Sequence, residues 1–235
     1  MGGSGATHAA IGAGARRGKL RQVIAYLHGF ASGPSSRKAR HLAAGFGERG
    51  LLVATPDLTP GAQGFERSTP LTMLEVARAT LGAALGPHAL IGSSLGGYLS
   101  ALLASQDPRV TRLVLLAPAF RLFERWRGRL TPEQLADWRE HGLPTHHHVT
   151  QTERRVGWAF FEAASALPAF PVVTVPTLVI AGSRDETVPL PDVEAWVERT
   201  AAARLLTVDD GHELAGSLEL ILREAWDFLG RGHAG

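Results

Sequence analysis

The sequence predicts an α/β fold, a mostly parallel sheet flanked by helices on both faces. Three observations carry it. Short apolar runs alternate along the chain with longer amphipathic segments, the pattern of strand–helix–strand units. One sharp glycine-flanked turn, Gly92-Ser93-Ser94-Leu95-Gly96, joins a strand-like run to a helix-like one. Polar loops rich in Asp, Gly and His follow two later strand-like runs, at the sheet end where such folds place ligands.

Element by element, Gln22–Leu27 reads as the first core strand, ending in His28-Gly29-Phe30-Ala31-Ser32-Gly33. Ser35–Arg49 reads as helix and Leu51–Ala54 as the next strand, leading into Thr55-Pro56-Asp57-Leu58. A helix over Thr72–Leu85 precedes the strand His88–Ile91, and Gly97–Ser105 is the helix after the sharp turn. Arg112–Leu116 and Thr177–Ala181 are strands. A helix over Asp192–Ala202 follows, with Asp192 as a solvated cap. Arg204–Val208 is the last strand, and a long amphipathic helix starts at Glu213. Residues 1–20 read as a flexible tail: the stretch is Gly/Ala-rich with Arg16 and Arg17 at its end, the reverse of a secretory signal's charge-then-apolar order. Residues 21–235 form one domain, long enough for a substantial core.

The alternation breaks at about 119–170, which reads as a small cap insertion. Phe120–Arg129 and Thr131–His141 are helical, the second opened by Thr131-Pro132-Glu133-Gln134. Thr145–Val156 is hairpin-like, and a further helix runs through Trp158-Ala159-Phe160-Phe161. The aromatic residues here either wall an acyl pocket or pack the insert onto the sheet.

The sharp turn carries the chemistry. A G-x-S-x-G turn between strand and helix forces its central residue into a strained, exposed conformation, and a Cβ at either glycine would clash. Ser94 is therefore the candidate nucleophile, ahead of its neighbour Ser93. A serine hydroxyl needs a base, and the base needs an orienting acid, in chain order Ser, Asp or Glu, His. Asp185, in the loop after Thr177–Ala181, and His212, in Asp209-Asp210-Gly211-His212, meet that order at strand ends. Asp209 and Asp210 are alternatives, as caps of the last helix or as the acid. An acyl-transfer site also needs two N–H donors for the developing oxyanion. The N–H of Leu95, after the nucleophile, and that of Phe30, beside Gly29, are the candidates. His28 is assigned a structural role in holding that loop.

Composition narrows the alternatives. A formal charge of +2, with basic residues scattered, argues against nucleic acid or a membrane surface as partner. No run approaches the ~18 apolar residues of a membrane helix. There are no cysteines, so no disulfides and no thiol chemistry, which suits a cytoplasmic location. His146-His147-His148 lacks the spacing of a zinc site, and neither a metal nor a cofactor is expected.

Tyr26-Leu27-His28-Gly29-Phe30, followed by Ser35, Lys38 and Ala39, and then Ile91-Gly92-Ser93-Ser94-Leu95-Gly96-Gly97-Tyr98, resemble the YqiA-like esterases of the α/β-hydrolase superfamily. The resemblance covers both motif regions and the element order through the last helix. It implies an α/β-hydrolase fold and carboxylesterase activity, with Ser94, Asp185 and His212 matching the triad and Phe30 and Leu95 the oxyanion loop and elbow. The segment between Pro118 and Pro176 is longer than in the smallest members, which leaves substrate choice open. The expectation is a serine hydrolase cleaving small-molecule acyl esters, short-chain by default, through an acyl-enzyme. Thioesterase, peptidase and acyltransferase activities use the same triad, and a non-catalytic binding protein can keep the same scaffold. Oligomeric state is not legible.

Overall fold

The computed structural model describes residues 23–61, 63–82 and 86–230. The predicted tail at residues 1–20, Gln22, and the end of the predicted helix at Ala83–Leu85 lie outside the described residues. The first half of the chain comprises β1 (Ile24–Leu27), α1 (Arg37–Gly47), β2 (Val53–Ala54), α2 (Gly64–Arg67), α3 (Pro70–Leu81), β3 (His88–Ser93), α4 (Leu95–Ala104) and β4 (Val110–Leu116). The insert follows as α5 (Leu122–Arg129), α6 (Pro132–His141), β5 (Leu143–His147), β6 (Thr152–Val156) and α7 (Trp158–Ser165). The chain then returns to the sheet with β7 (Thr177–Gly182), α8 (Leu190–Val197), β8 (Ala203–Val208) and α9 (Leu218–Leu229).

Six strands form one sheet in the order β2-β1-β3-β4-β7-β8. Every pairing in it is parallel. The four central strands are mostly apolar because both faces are covered, with polar residues confined to their ends, and side chains alternate between two cores. Ile24, Tyr26, Ala89, Ile91, Val114, Leu116, Leu178 and Ile180 pack under α1 and α9 with Leu42, Phe46, Ile221 and Ala225. Ala25, Leu27, Leu90, Leu113, Leu115, Val179 and Ala181 face the opposite way, toward α3, α4, α8 and the insert.

Local chemistry sets the element boundaries. Thr69 and Thr72 form a reciprocal capping box ahead of Pro70, so α3 starts two residues before the expected Thr72. Thr131 and Gln134 do the same for α6. The predicted hairpin is the antiparallel β5–β6 pair, which stands apart from the main sheet.

The last helix departs from expectation. It starts at Leu218 rather than Glu213, because Asp210 organises the intervening turn. The Asp210 carboxylate accepts from the Gly211 N–H at 2.8 Å, the Gly216 N–H at 2.9 Å and the Ser217 hydroxyl at 2.9 Å.

Asp192 is a second correction. It lies in the first turn of α8, but its side chain is only 13% exposed and makes no cap hydrogen bond. The Arg121 and Arg125 guanidinium groups of the insert donate to its two oxygens at 3.0 and 2.9 Å. This clamp holds α5 against the body, assisted by the Tyr98 hydroxyl, which donates to the Pro168 carbonyl at 2.8 Å. The insert aromatics mostly pack: Trp138, Phe160 and Phe161 are buried, and Trp126 lies edge-on to Trp138 at 5.4 Å between centroids.

Removing one member of a well-desolvated ion pair strands its partner. Asp192→Ala leaves Arg125, 11% exposed, without its carboxylate, and is expected to cost about 3 kcal/mol, read as a lowered urea midpoint.

Candidate active site

At the end of β3 the chain reverses into α4 within one residue. Ser94 has φ 52° and ψ −117°, a conformation that L-residues rarely hold. Backbone bonds lock it: the Ser94 N–H donates to the Leu116 carbonyl at 2.9 Å, and the Ala119 N–H donates to the Ser94 carbonyl at 3.0 Å. A Cβ at Gly92 would lie 2.3 Å from the Gly96 carbonyl oxygen, and one at Gly96 would lie 2.1 Å from that of Leu27. Both glycines are therefore steric requirements of the bend. Ser93, buried, is turned inward beside the Tyr26 hydroxyl, whose pKa burial pushes up to about 12.

The loop after β7 brings Asp185 to the same end of the sheet, and the loop after β8 brings His212. The loops are tied together: the Arg184 N–H donates to the Asp210 carbonyl at 3.0 Å, and the Arg184 guanidinium pairs with Asp209 at 2.7 Å. Asp209 and Asp210 are thereby occupied, and Asp185 meets the histidine. Asp185 Oδ1 accepts from the N–H groups of Thr187 at 2.8 Å and Val188 at 2.7 Å. Oδ2 lies 2.7 Å from His212 Nδ1, and His212 Nε2 lies 3.0 Å from Ser94 Oγ. An ionised carboxylate only accepts, so Nδ1 carries the proton and the Nε2 lone pair faces the serine hydroxyl.

Burial alone would raise the Asp185 pKa, its side chain being 2% exposed. The hydrogen bonds from His212, Val188 and Thr187 and the attraction of His212 outweigh it, and the carboxyl is held below its ordinary value.

The loop after β1 closes the other side. His28 is buried; its Nδ1–H donates to the Gly29 carbonyl at 2.9 Å, and its Nε2 accepts from the Leu58 N–H at 3.0 Å. Burial lowers its pKa and keeps it neutral, as this double role requires. The loop backbone rests on the elbow, since a Cβ at Gly29 would lie 3.4 Å from both the Ser93 oxygen and Ser94 Cβ. Among the described residues no group accepts the N–H of Phe30 or of Leu95. The Phe30 ring packs against Phe65, Trp126 and Phe160 at 5.3–5.5 Å between centroids.

Ser94, Leu95, Phe30 and His212 open onto one cleft of about 900 Å³, to which the insert contributes Leu122, Trp126, Leu143 and Val149. His146 and His148 stack edge-on at 5.5 Å, and among the described residues no group of three potential ligands could hold a metal ion. Nor, among those residues, is any helix long and apolar enough to cross a membrane.

The profile of an uncharacterised protein family, UPF0227, which is the YqiA-like family, matches residues 23–228. The chain belongs to this family. No curated protein matches it by sequence. Among solved structures, it is similar to a protein of the alpha/beta superfamily from Xanthomonas campestris pv. campestris. The two are 29% identical over 89% of this chain and 98% of the other, with a TM-score of 0.59. It is also similar to Est1E from Butyrivibrio proteoclasticus in complex with ferulic acid, 20% identical over 91% and 90% of the two chains with a TM-score of 0.74. Mouse alpha/beta hydrolase domain-containing protein 10 is 21% identical over 92% of each chain, with a TM-score of 0.74. The fold of this UPF0227 member is that of the α/β-hydrolases.

In this family member a further group stands beside the histidine. The Lys38 ammonium, on α1, donates to the Glu213 carbonyl at 2.7 Å and to its carboxylate at 3.0 Å, linking the first helix to the residue after His212. No sequence signal pairs residues 175 apart.

Two outcomes follow from this geometry. Gly96→Ala is expected to lose about 1–3 kcal/mol, because the obstructing atoms are backbone and cannot move aside, whereas Gly47→Ala, with open space around it, is neutral or slightly stabilising; denaturant midpoints test both. Because the Asp185 pKa is depressed on folding, its stabilisation is present above the unfolded value of about 4 and is lost as pH falls through the folded value. Asp185→Asn therefore flattens the acid side of the stability–pH curve.

Proposed function

We infer that this protein is a serine hydrolase acting on acyl esters, short-chain by preference. The observation that carries the reading is the continuous hydrogen-bonded chain from Ser94 through His212 to Asp185, with the serine in a strained turn at the floor of a cleft. Membership of the YqiA-like family and a fold shared with esterases and other hydrolases support it.

In this mechanism Ser94 Oγ forms a bond to the acyl carbon while its proton passes to His212 Nε2. Asp185 keeps the imidazole in the tautomer that can accept it and stabilises the imidazolium. The carbonyl oxygen becomes an oxyanion held by the Phe30 and Leu95 N–H groups, which have no other acceptor among the described residues to relinquish. Collapse breaks the carbon–oxygen bond, and the His212 proton leaves with the alcohol. Water then attacks the acyl-enzyme, giving its proton to His212, and the acid is released as Ser94 regains a proton.

Hydrolysis of p-nitrophenyl esters from acetate to palmitate tests the reading, with an optimum among the short chains expected. Ser94→Ala should lower kcat by roughly 10⁶-fold and abolish labelling by a fluorophosphonate. Labelling that persists in this variant overturns the nucleophile. Asp185→Asn should cost on the order of 10⁴-fold in kcat. Because burial of Asp185 is outweighed by its hydrogen bonds, the carboxylate stays ionised and adds no limb to the kcat/KM profile between about pH 5 and 9.

A further inference from the structure

The cleft around Ser94 has two chemically different walls. Phe30, Leu95, Ala119, Leu122 and Trp126 make one of them apolar. The segment entering α1 and its first turn make the other, with Ser32, Ser35, Ser36, Arg37, Lys38 and Arg40. Three cationic side chains thus fall within four residues of one wall. Glu213 is the one carboxylate among the described lining residues, and Lys38 neutralises it. Lys38 is nearly buried and occupied by that pairing, with its side chain 10% exposed. Arg40 donates to the neutral Ser35 carbonyl, and neither Arg37 nor Arg40 forms an ion pair among the described residues. Two uncompensated guanidinium groups therefore border the cleft, with serine hydroxyls and His148 beside them.

The geometry of the proposed reaction decides which end of a substrate meets this wall. The oxyanion donors Phe30 and Leu95 belong to the apolar wall. The cationic wall belongs to the histidine side, because Lys38 reaches the residue that follows His212. The leaving oxygen must take its proton from His212 Nε2, so the alcohol portion departs on that side. The acyl chain is then left to the apolar wall.

We propose that Arg37 and Arg40 recognise an anion carried on the alcohol portion, so that the preferred substrates are acyl esters whose leaving group bears a carboxylate or a phosphate. This inference rests on the hydrolase reading and names its substrate class. A guanidinium matches the planar oxygens of either anion with paired N–H donors, which a neutral alcohol cannot engage. The covalent step is unchanged: the Ser94 Oγ–acyl bond forms, the acyl–alkoxy bond breaks, and His212 returns its proton to the alkoxide. The departing product is a hydroxy acid or a phosphorylated alcohol. The wall is open to solvent, so its attraction is weakened by salt.

The test is a ratio of kcat/KM values for matched esters, measured by proton release on the full chain. The set is 3-carboxypropyl butyrate, 3-(phosphonooxy)propyl butyrate and the uncharged 3-carbamoylpropyl butyrate. At low salt the anionic esters are expected to be preferred by about tenfold or more over the carbamoyl ester. The larger of the two ratios identifies the anion. The preference should shrink toward one in 0.5 M NaCl, a concentration giving a Debye length of about 4 Å. It should also collapse to about one in R37A/R40A and persist in part in R37K/R40K. A ratio taken within one preparation does not depend on how much of a variant folds. A wild-type ratio of one or below, or a ratio unaltered in R37A/R40A, overturns the anionic leaving group while leaving Ser94-dependent turnover standing. Absence of Ser94-dependent turnover of every ester in the set overturns the hydrolase reading itself, and this inference with it.

Discussion

One residue in a disallowed place organises the molecule. Ser94 sits at φ 52° because β3 must end and α4 must begin within a single step, with no room for side chains on the neighbouring glycines. The strain is held by bonds that belong to the sheet: Ser94 donates to Leu116 at the end of β4, and Ala119 donates back to Ser94. Strain of this kind costs about 1–3 kcal/mol and survives only where the surroundings over-determine it. The central strands supply that surplus. β3 is buried along its whole length between two parallel neighbours, and both of its faces lie in apolar cores.

The elbow also sets the positions of everything that meets it. Because all the main strands are parallel, their carboxyl ends lie on one edge, and the loops after β1, β3, β7 and β8 converge there. Each of these loops is held by a different device. A neutral buried histidine joins the first loop to the turn after β2. Arg184 ties the third loop to the fourth. Asp210 shapes the turn that carries Glu213 back to Lys38. The proton on His212 Nδ1 is fixed in turn by a carboxylate that the Thr187 and Val188 N–H groups keep in place.

Above this edge lies the insert, which the sequence marks as a break in the strand–helix alternation. Its aromatic residues serve two ends at once. Trp138, Phe160 and Phe161 bury themselves in the core that the insert shares with one face of the sheet, while Trp126 and Leu122 also face the cleft. The Arg121–Asp192–Arg125 clamp fixes α5, and with it the apolar wall, relative to the edge that carries Ser94. The opposite wall comes from α1, so the polarity of the cleft follows from two elements far apart in the chain.

The sequence by itself determined the α/β class, the strand order along the chain and the sharp turn at Ser94. These depend on local rules, namely side-chain periodicity and the absence of Cβ atoms at Gly92 and Gly96. It also marked Asp185, His212 and His28, because each follows a strand and strand ends share one edge. Only the tertiary structure decided which partners meet. Asp192 reads as a solvated cap in one dimension, and it is the insert, some seventy residues earlier, that turns it into a desolvated bridge. Glu213 reads as the start of a helix, yet the competing side chain of Asp210 and the ammonium of Lys38 draw it into a turn. Ion pairs between distant residues leave no periodicity and no spacing to read, since they depend on where the folded backbone brings two charges and on how much water remains between them.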